Sequence, residues 1–169
     1  MTEIYKELIK NGDFATGNLD GWTIITESDF SVMEYEPGKN CAVLQSFTVS
    51  HDGLRQVVYG KPGIYEVSFL HRTTDKAGQP VDIGTLNGAG IIWTTSEGME
   101  SKTLLLVSGM EWRNAFLRFE VPKVESLVRF HFGISNIDNS FRAALRDDSR
   151  FENIESPIAV ANVSFRMIL

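Results

Sequence analysis

The chain has one cysteine, Cys41, among 169 residues. A lone thiol forms no internal disulfide and no thiolate metal cluster, so Cys41 reads as a small buried hydrophobe. Histidine is scarce as well. His51, His71 and His131 stand far apart, without the spacing of a metal site, and each reads as a surface or structural residue before a ligand or base. No run approaches the roughly eighteen apolar residues of a membrane span, so no membrane insertion is expected. There is no basic excess either. A net charge of −6 speaks against a sequence-independent grip on nucleic acid or on an anionic membrane surface.

The common catalytic signatures are missing too: no G-x-S-x-G elbow, no H-E-x-x-H, no P-loop and no dinucleotide glycine fingerprint. A glycosidase needs only two carboxylates, and Glu27, Glu34, Glu66, Glu97, Glu111 and Glu120 offer candidates, but no local motif selects a pair. Binding is therefore expected ahead of catalysis. Residues 1–7 hold no apolar stretch of signal-peptide length, which predicts a cytoplasmic protein or export without a cleaved signal.

What is present is β pattern. A chain of this length fits one domain, 1–169, with room for a full core. Apolar residues come in short alternating runs separated by Gly, Pro, Asn and Asp, as in an all-β, antiparallel sandwich. Leu8-Ile9 reads as a first short strand. It leads into a polar loop, Asn11 to Gly21, that ends on Trp22, a plug for the core, with Thr23-Ile24-Ile25 following. Phe30–Tyr35 alternates, Glu36–Asn40 is a turn, and Cys41–Leu44 reads as a buried strand. Phe47–Val49 predicts another.

Leu54–Tyr59 and Ile64–Arg72 flank Pro62-Gly63, a hairpin or sheet-crossing signal. Strand parity puts Tyr65, Val67, Phe69 and His71 toward the core, with Glu66, Ser68, Leu70 and Arg72 outside. Val81–Leu86, Ile91–Trp93 and Thr103–Val107 read as strands, the first two joined by a turn at Asn87–Gly90. Further on, Leu117, Phe119 and Val121 share a face, as do Val128, Phe130 and Phe132, while Arg118, Glu120, Arg129 and His131 point away. Residues 136–157 depart from strand pattern. Ser140–Arg146 suits a short helix, and the excursion reads as a solvated loop, a functional flap or a contact for a protein partner. Ile158–Ile168 is the closing strand.

Several of these stretches carry a resemblance. Asn11-Gly12-Asp13-Phe14, Thr16-Gly17, Leu19 and Gly21-Trp22 resemble the opening of the galactose-binding-like β-sandwiches, among them the carbohydrate-binding modules attached to xylanases and glucanases. Leu54, Gln56 and Val57 match a strand of that family, as do Pro62-Gly63, Tyr65, Val67-Ser68-Phe69 and Arg72. Trp112 with Phe119, Val121 and Pro122 matches a third stretch, and Asn162-Val163-Ser164 matches the closing strand. The resemblance implies a jelly-roll sandwich that binds a glycan or another small polar ligand. In many relatives an Asp of the closing strand helps to hold a structural calcium. Ala161 stands at that position here; Asp13, Glu27 and Asp29 are the carboxylates on hand for such an ion, though no spacing compels them to bind one.

Sugar recognition needs an aromatic platform and planar polar side chains. Candidate ligand-binding residues are Trp93, Trp112, Arg72, Tyr59, Asn87, Arg129 and His131, with Tyr35, Gln56 and Arg118 as further candidates on outer faces or loops. The preferred groove is an outer sheet face carrying Ser68, Leu70, Arg72, Arg129 and His131. The alternative to a glycan binder is a structural or protein-interaction subunit, of a phage particle, secreted complex or toxin, built on the same fold.

Overall fold

Period-two burial along the strands determines the architecture. In the computed structural model the described residues are 6–25, 29–46, 53–75, 77–81, 91–95, 102–105, 109–121, 128–135 and 158–168. They hold ten strands: β1 (Thr23–Ile25), β2 (Asp29–Glu36), β3 (Lys39–Ser46), β4 (Gly53–Gly60), β5 (Gly63–Thr73), β6 (Ile91–Thr95), β7 (Lys102–Leu105), β8 (Arg113–Val121), β9 (Val128–Ser135) and β10 (Ile158–Met167). One sheet runs β2-β3-β10-β5-β8 and the other β1-β4-β9-β6-β7, and every pairing is antiparallel. This is the antiparallel sandwich that the alternation predicts, with the jelly-roll form that the resemblance implies. The Pro62-Gly63 turn proves to be a sheet crossing, because β4 and β5 lie in different sheets.

The core is packed between the sheets. Tyr65, Val67, Phe69, Phe165 and Leu54 are almost completely buried. Tyr65, Phe119 and Phe165 stack with ring centroids 5.4 to 6.0 Å apart. Burying side chains of this kind contributes about 1.5–3 kcal/mol each.

Leu8-Ile9 is not a strand. Glu7 makes a single bridge to Arg166, and Leu8 N–H donates to Phe165 O at 2.9 Å. The Glu7 carboxylate then takes over the ladder, accepting from Phe165 N at 2.8 Å, Ile9 N at 2.9 Å and Ser164 Oγ at 2.5 Å. A side chain thus satisfies the backbone donors that a paired strand would have satisfied.

The opening loop docks on the closing strand. Val163 N–H donates to Gly12 O at 2.8 Å, and a Cβ on Gly12 would stand 2.0 Å from Val163 O. Gly12 is required by this close approach. Asn162, beside it, has φ 51° within the register shift between Ala161 and Ser164. The two ends of the chain that carry the family pattern are therefore mates in space. Trp22 is the core plug: it is buried, its ring stacks on Phe14 at 5.8 Å, and its indole N–H donates to Asn11 O at 3.0 Å. Phe14 itself has φ 55°, which costs a branched or bulky residue about 1–2 kcal/mol, and complete burial of its ring offsets this.

The expected strands at Phe47–Val49 and over 82–86, the turn at Asn87–Gly90, the helix at Ser140–Arg146 and the rest of 136–157 lie outside the described residues, as does Glu27.

Candidate functional site

The sandwich presents two outer faces, and they are built differently. On the face of the β2-β3-β10-β5-β8 sheet, Cys41, Val43, Ala159 and Ala161 form a second buried apolar cluster, with Met33, Tyr35, Leu70 and Trp112 packed against it. Trp112 reaches this position because Thr73 and Gly109 bond reciprocally: Thr73 N–H donates to Gly109 O at 2.8 Å, and Gly109 N–H to Thr73 Oγ1 at 3.0 Å. Its ring meets Tyr35 at 4.7 Å and carries the Arg72 guanidinium at 4.5 Å. The 75–79 turn closes over the same cluster. It is held by Asp75, whose Oδ1 accepts from Ala77 N and Gln79 N at 2.9 Å each. Gly78, at φ 84°, presses so closely that a Cβ would lie 2.2 Å from Met33 Sδ. Burial here pushes the Cys41 thiol up to about 11, well out of the reactive range.

Farther along this face Glu66 is buried between two arginines. Arg118 Nε and Nη2 both donate to its Oε2 at 3.0 Å, and Arg166 Nη2 donates to Oε1 at 3.0 Å. The hydrogen bond from Arg166, followed by that from Arg118, holds the carboxyl below its ordinary value against the opposing effect of burial. Such a carboxylate stays ionised and is no proton donor near neutral pH. Arg118 also lies over the half-exposed Phe116 ring at 5.1 Å.

The face of the β1-β4-β9-β6-β7 sheet is open along β4. Leu54, Gln56 and Val58 are buried, so Arg55, Val57 and Tyr59 line the outside, Val57 42% and Tyr59 58% exposed. Backbone register extends these positions across the sheet. One row reads Thr23, Arg55, Gly133, Trp93 and Thr103. The next reads Val57, His131 and Thr95, and the third pairs Tyr59 with Arg129. Partners in register share a face, and alternate rows lie about 7 Å apart along the strands. Gly133 leaves the middle of the first row without a side chain.

The structure thus divides the predicted ligand-binding residues. Tyr59, Trp93, Arg129 and His131 fall in three adjacent rows of one sheet. Arg72 and Trp112 touch each other on the opposite sheet, and Asn87 lies outside the described residues. No single face carries Ser68, Leu70, Arg72, Arg129 and His131 together: the first three are on β5 and the last two on β9, in different sheets. Gln56 is also corrected. It points inward, with Oε1 accepting from Lys10 N at 3.1 Å and Nε2 donating to Lys10 O at 2.6 Å, because the parity that exposes Tyr59 must bury it. Arg55 and Val57 were not singled out from the sequence, although the same parity exposes them.

Among the described residues no three His, Cys, Asp or Glu side chains converge. Asp13 Oδ1 accepts from Ala15 N, the Glu7 carboxylate is occupied by three donors, and Ala161 sits in the apolar cluster.

The structure is similar to those of carbohydrate-binding modules. It aligns with TmCBM61, solved in complex with β-1,4-galactotriose, over 96% of this chain and 99% of that one, at 15% identity and a TM-score of 0.60. The CBM22-1 xylan-binding domain from Paenibacillus barcinonensis Xyn10C aligns over 99% of this chain and 98% of its own, at 12% identity and a TM-score of 0.58. Tailspike protein 4 of bacteriophage CBA120 contains a similar unit, which covers 96% of this chain and 21% of that one at a TM-score of 0.61 and 14% identity. No protein-family model matches the sequence, and no curated protein matches it. At these identities it is the fold that is shared, the β-sandwich of carbohydrate-binding modules.

Proposed function

We propose that this chain is a non-catalytic glycan-binding module and that it binds along the outer face of the β1-β4-β9-β6-β7 sheet. The observation that carries the reading is Tyr59, a large ring 58% exposed at the end of a run of alternating outward residues, with Arg129 opposite it in register, His131 in the next row and Trp93 in the row beyond. A bare aromatic ring offers the apolar surface on which a sugar's C–H face can lie, and Arg, His and Trp supply donors for hydroxyls. Two neighbours of the same fold, one solved with galactotriose and one described as xylan-binding, support the same ligand class. The described titratable groups support a binding role over a catalytic one. Glu66 is locked in its ion pairs, and burial, with Arg113 nearby, lowers His71 to about 4 and keeps it neutral.

Titration calorimetry with neutral galactan, xylan, mannan and glucan oligosaccharides tests this. Binding to at least one of them is expected, with Tyr59→Ala weakening it about five- to tenfold, the scale of one lost aromatic contact. A folded protein that binds no member of the panel would overturn the reading.

A further inference from the structure

The cover on the β2-β3-β10-β5-β8 sheet does not reach its whole outer face. Alternation along β8 buries Ala115, Phe119 and Val121, so Asn114, Phe116, Arg118 and Glu120 point outward. The apolar cluster under Trp112 extends along β10 as far as Ala161. Register places Phe116 one row beyond it, level with Ser68 of β5 and Ser164 of β10. Phe116 is 45% exposed, although the Arg118 guanidinium lies over the ring at 5.1 Å. Its exposure therefore belongs to the ring edge and to the side away from Arg118, which is the side of Asn114. Alternate residues of a strand stand about 7 Å apart, so Phe116 and Asn114 bound a slot one sugar ring thick, with Ser68 at its floor. The Asn114 carboxamide and the Ser68 hydroxyl make no hydrogen bond among the described residues. Arg118 commits Nε and Nη2 to Glu66, which fixes its position before any ligand arrives and leaves Nη1 as a donor.

We propose that this slot is a second binding site, for a single neutral pyranose ring, on the sheet opposite the first. It rests on the ligand class of the glycan-binding reading and shares none of its residues. The C–H face of the sugar lies on the open side of Phe116, and its hydroxyls bond to Asn114, Ser68 and Arg118 Nη1. Charge points to a neutral ring. Arg118 and Arg166 share Glu66, and Glu120 stands next outward on β8, so two cations face two carboxylates and no excess remains for an anion. Size points to a sugar over a protein. A ring 45% exposed shows about 90 Å², against the roughly 800 Å² that each side of a stable protein interface covers.

Backbone amide shifts of the isotope-labelled chain, followed while neutral galactan, xylan, mannan and glucan trisaccharides are added, decide the matter. With at least one probe the amides around Ser68 and from Asn114 to Arg118 should move as a group of their own. That group should saturate at higher ligand concentration than the amides of β4, because one ring and one carboxamide make fewer contacts. Tyr59→Ala should leave it unchanged. Phe116→Thr, which keeps strand preference, should weaken it at least about fivefold while the β4 amides keep their own affinity. Asn114→Ala, at an exposed position, should weaken it about threefold. Shifts confined to the β4 face, or a β8 group whose affinity survives both substitutions, overturn the second site and leave the glycan-binding reading standing. Shifts at β8 alone uphold the site and move glycan binding off the β4 face. No shift with any probe overturns both.

Discussion

The two outer faces of this sandwich carry similar residues and put them to different use. On the β2-β3-β10-β5-β8 side, Trp112, Tyr35 and Arg72 lean over Cys41, Val43, Ala159 and Ala161, and the 75–79 turn closes in from the side. Small residues in the middle of the sheet let the large rings settle onto it, and a third apolar layer results. On the opposite side Val57 and Tyr59 stand in solvent with nothing described above them. An aromatic residue on an outer face is therefore not by that fact a ligand platform. What separates the cases is whether the chain supplies its own cover.

The strongest test of that contrast is a pair of truncations. Trp112→Ala should lower unfolding free energy by about 3 kcal/mol, since it uncovers a packed cluster, and should leave glycan affinity unchanged. Tyr59→Ala should change stability by less than about 0.5 kcal/mol while weakening ligand. Urea denaturation beside calorimetry measures both. Loss of binding on Trp112→Ala in a folded protein would move the site to the covered face.

His71 probes the layer between the faces. It is buried, and desolvation, aided by the charge of Arg113, lowers it to about 4 from an ordinary value of 6.5. The folded state therefore binds fewer protons than the unfolded chain in that window. Stability should be constant above about pH 7 as far as this group is concerned, and should decline as pH falls from 6.5 towards 4, by about 2–3 kcal/mol at the lower end. In His71→Gln, melting temperature measured against pH should lose most of that slope.

Gly78→Ala should lower unfolding free energy by about 2 kcal/mol, from a left-handed backbone at φ 84° and a Cβ driven against the flexible end of Met33. Guanidinium titration would register it. An unchanged midpoint would mean that the 75–79 turn does not cap the cluster.

Local pattern revealed a good deal of this molecule. Alternation in Leu54–Tyr59, Ile64–Arg72 and Phe116–Val121 is a property of neighbouring residues, so the strands, their buried sides and the burial of Tyr65, Val67 and Phe69 could be read directly. The Asn-Gly loop leading to Trp22 was legible for the same reason. Leu8-Ile9 misled because it has strand composition, while the bonds it would form are made by the Glu7 side chain to residues some 157 positions away.

The sequence alone was enough to indicate an all-β chain and the strand faces, because these depend on period-two burial and on turn residues, and the resemblance of its motifs pointed to the family of folds. Tertiary structure alone decided which strands share a sheet, and with it which candidate residues share a face. Arg72 and Arg129 look alike in the chain, each outward on an alternating strand, yet long-range pairing sets β5 beside β10 and β9 beside β4. That pairing set Tyr59, Arg129, His131 and Trp93 in adjacent rows of one sheet, while the packing of Trp112 against the Ala159 and Ala161 cluster covers part of the opposite sheet.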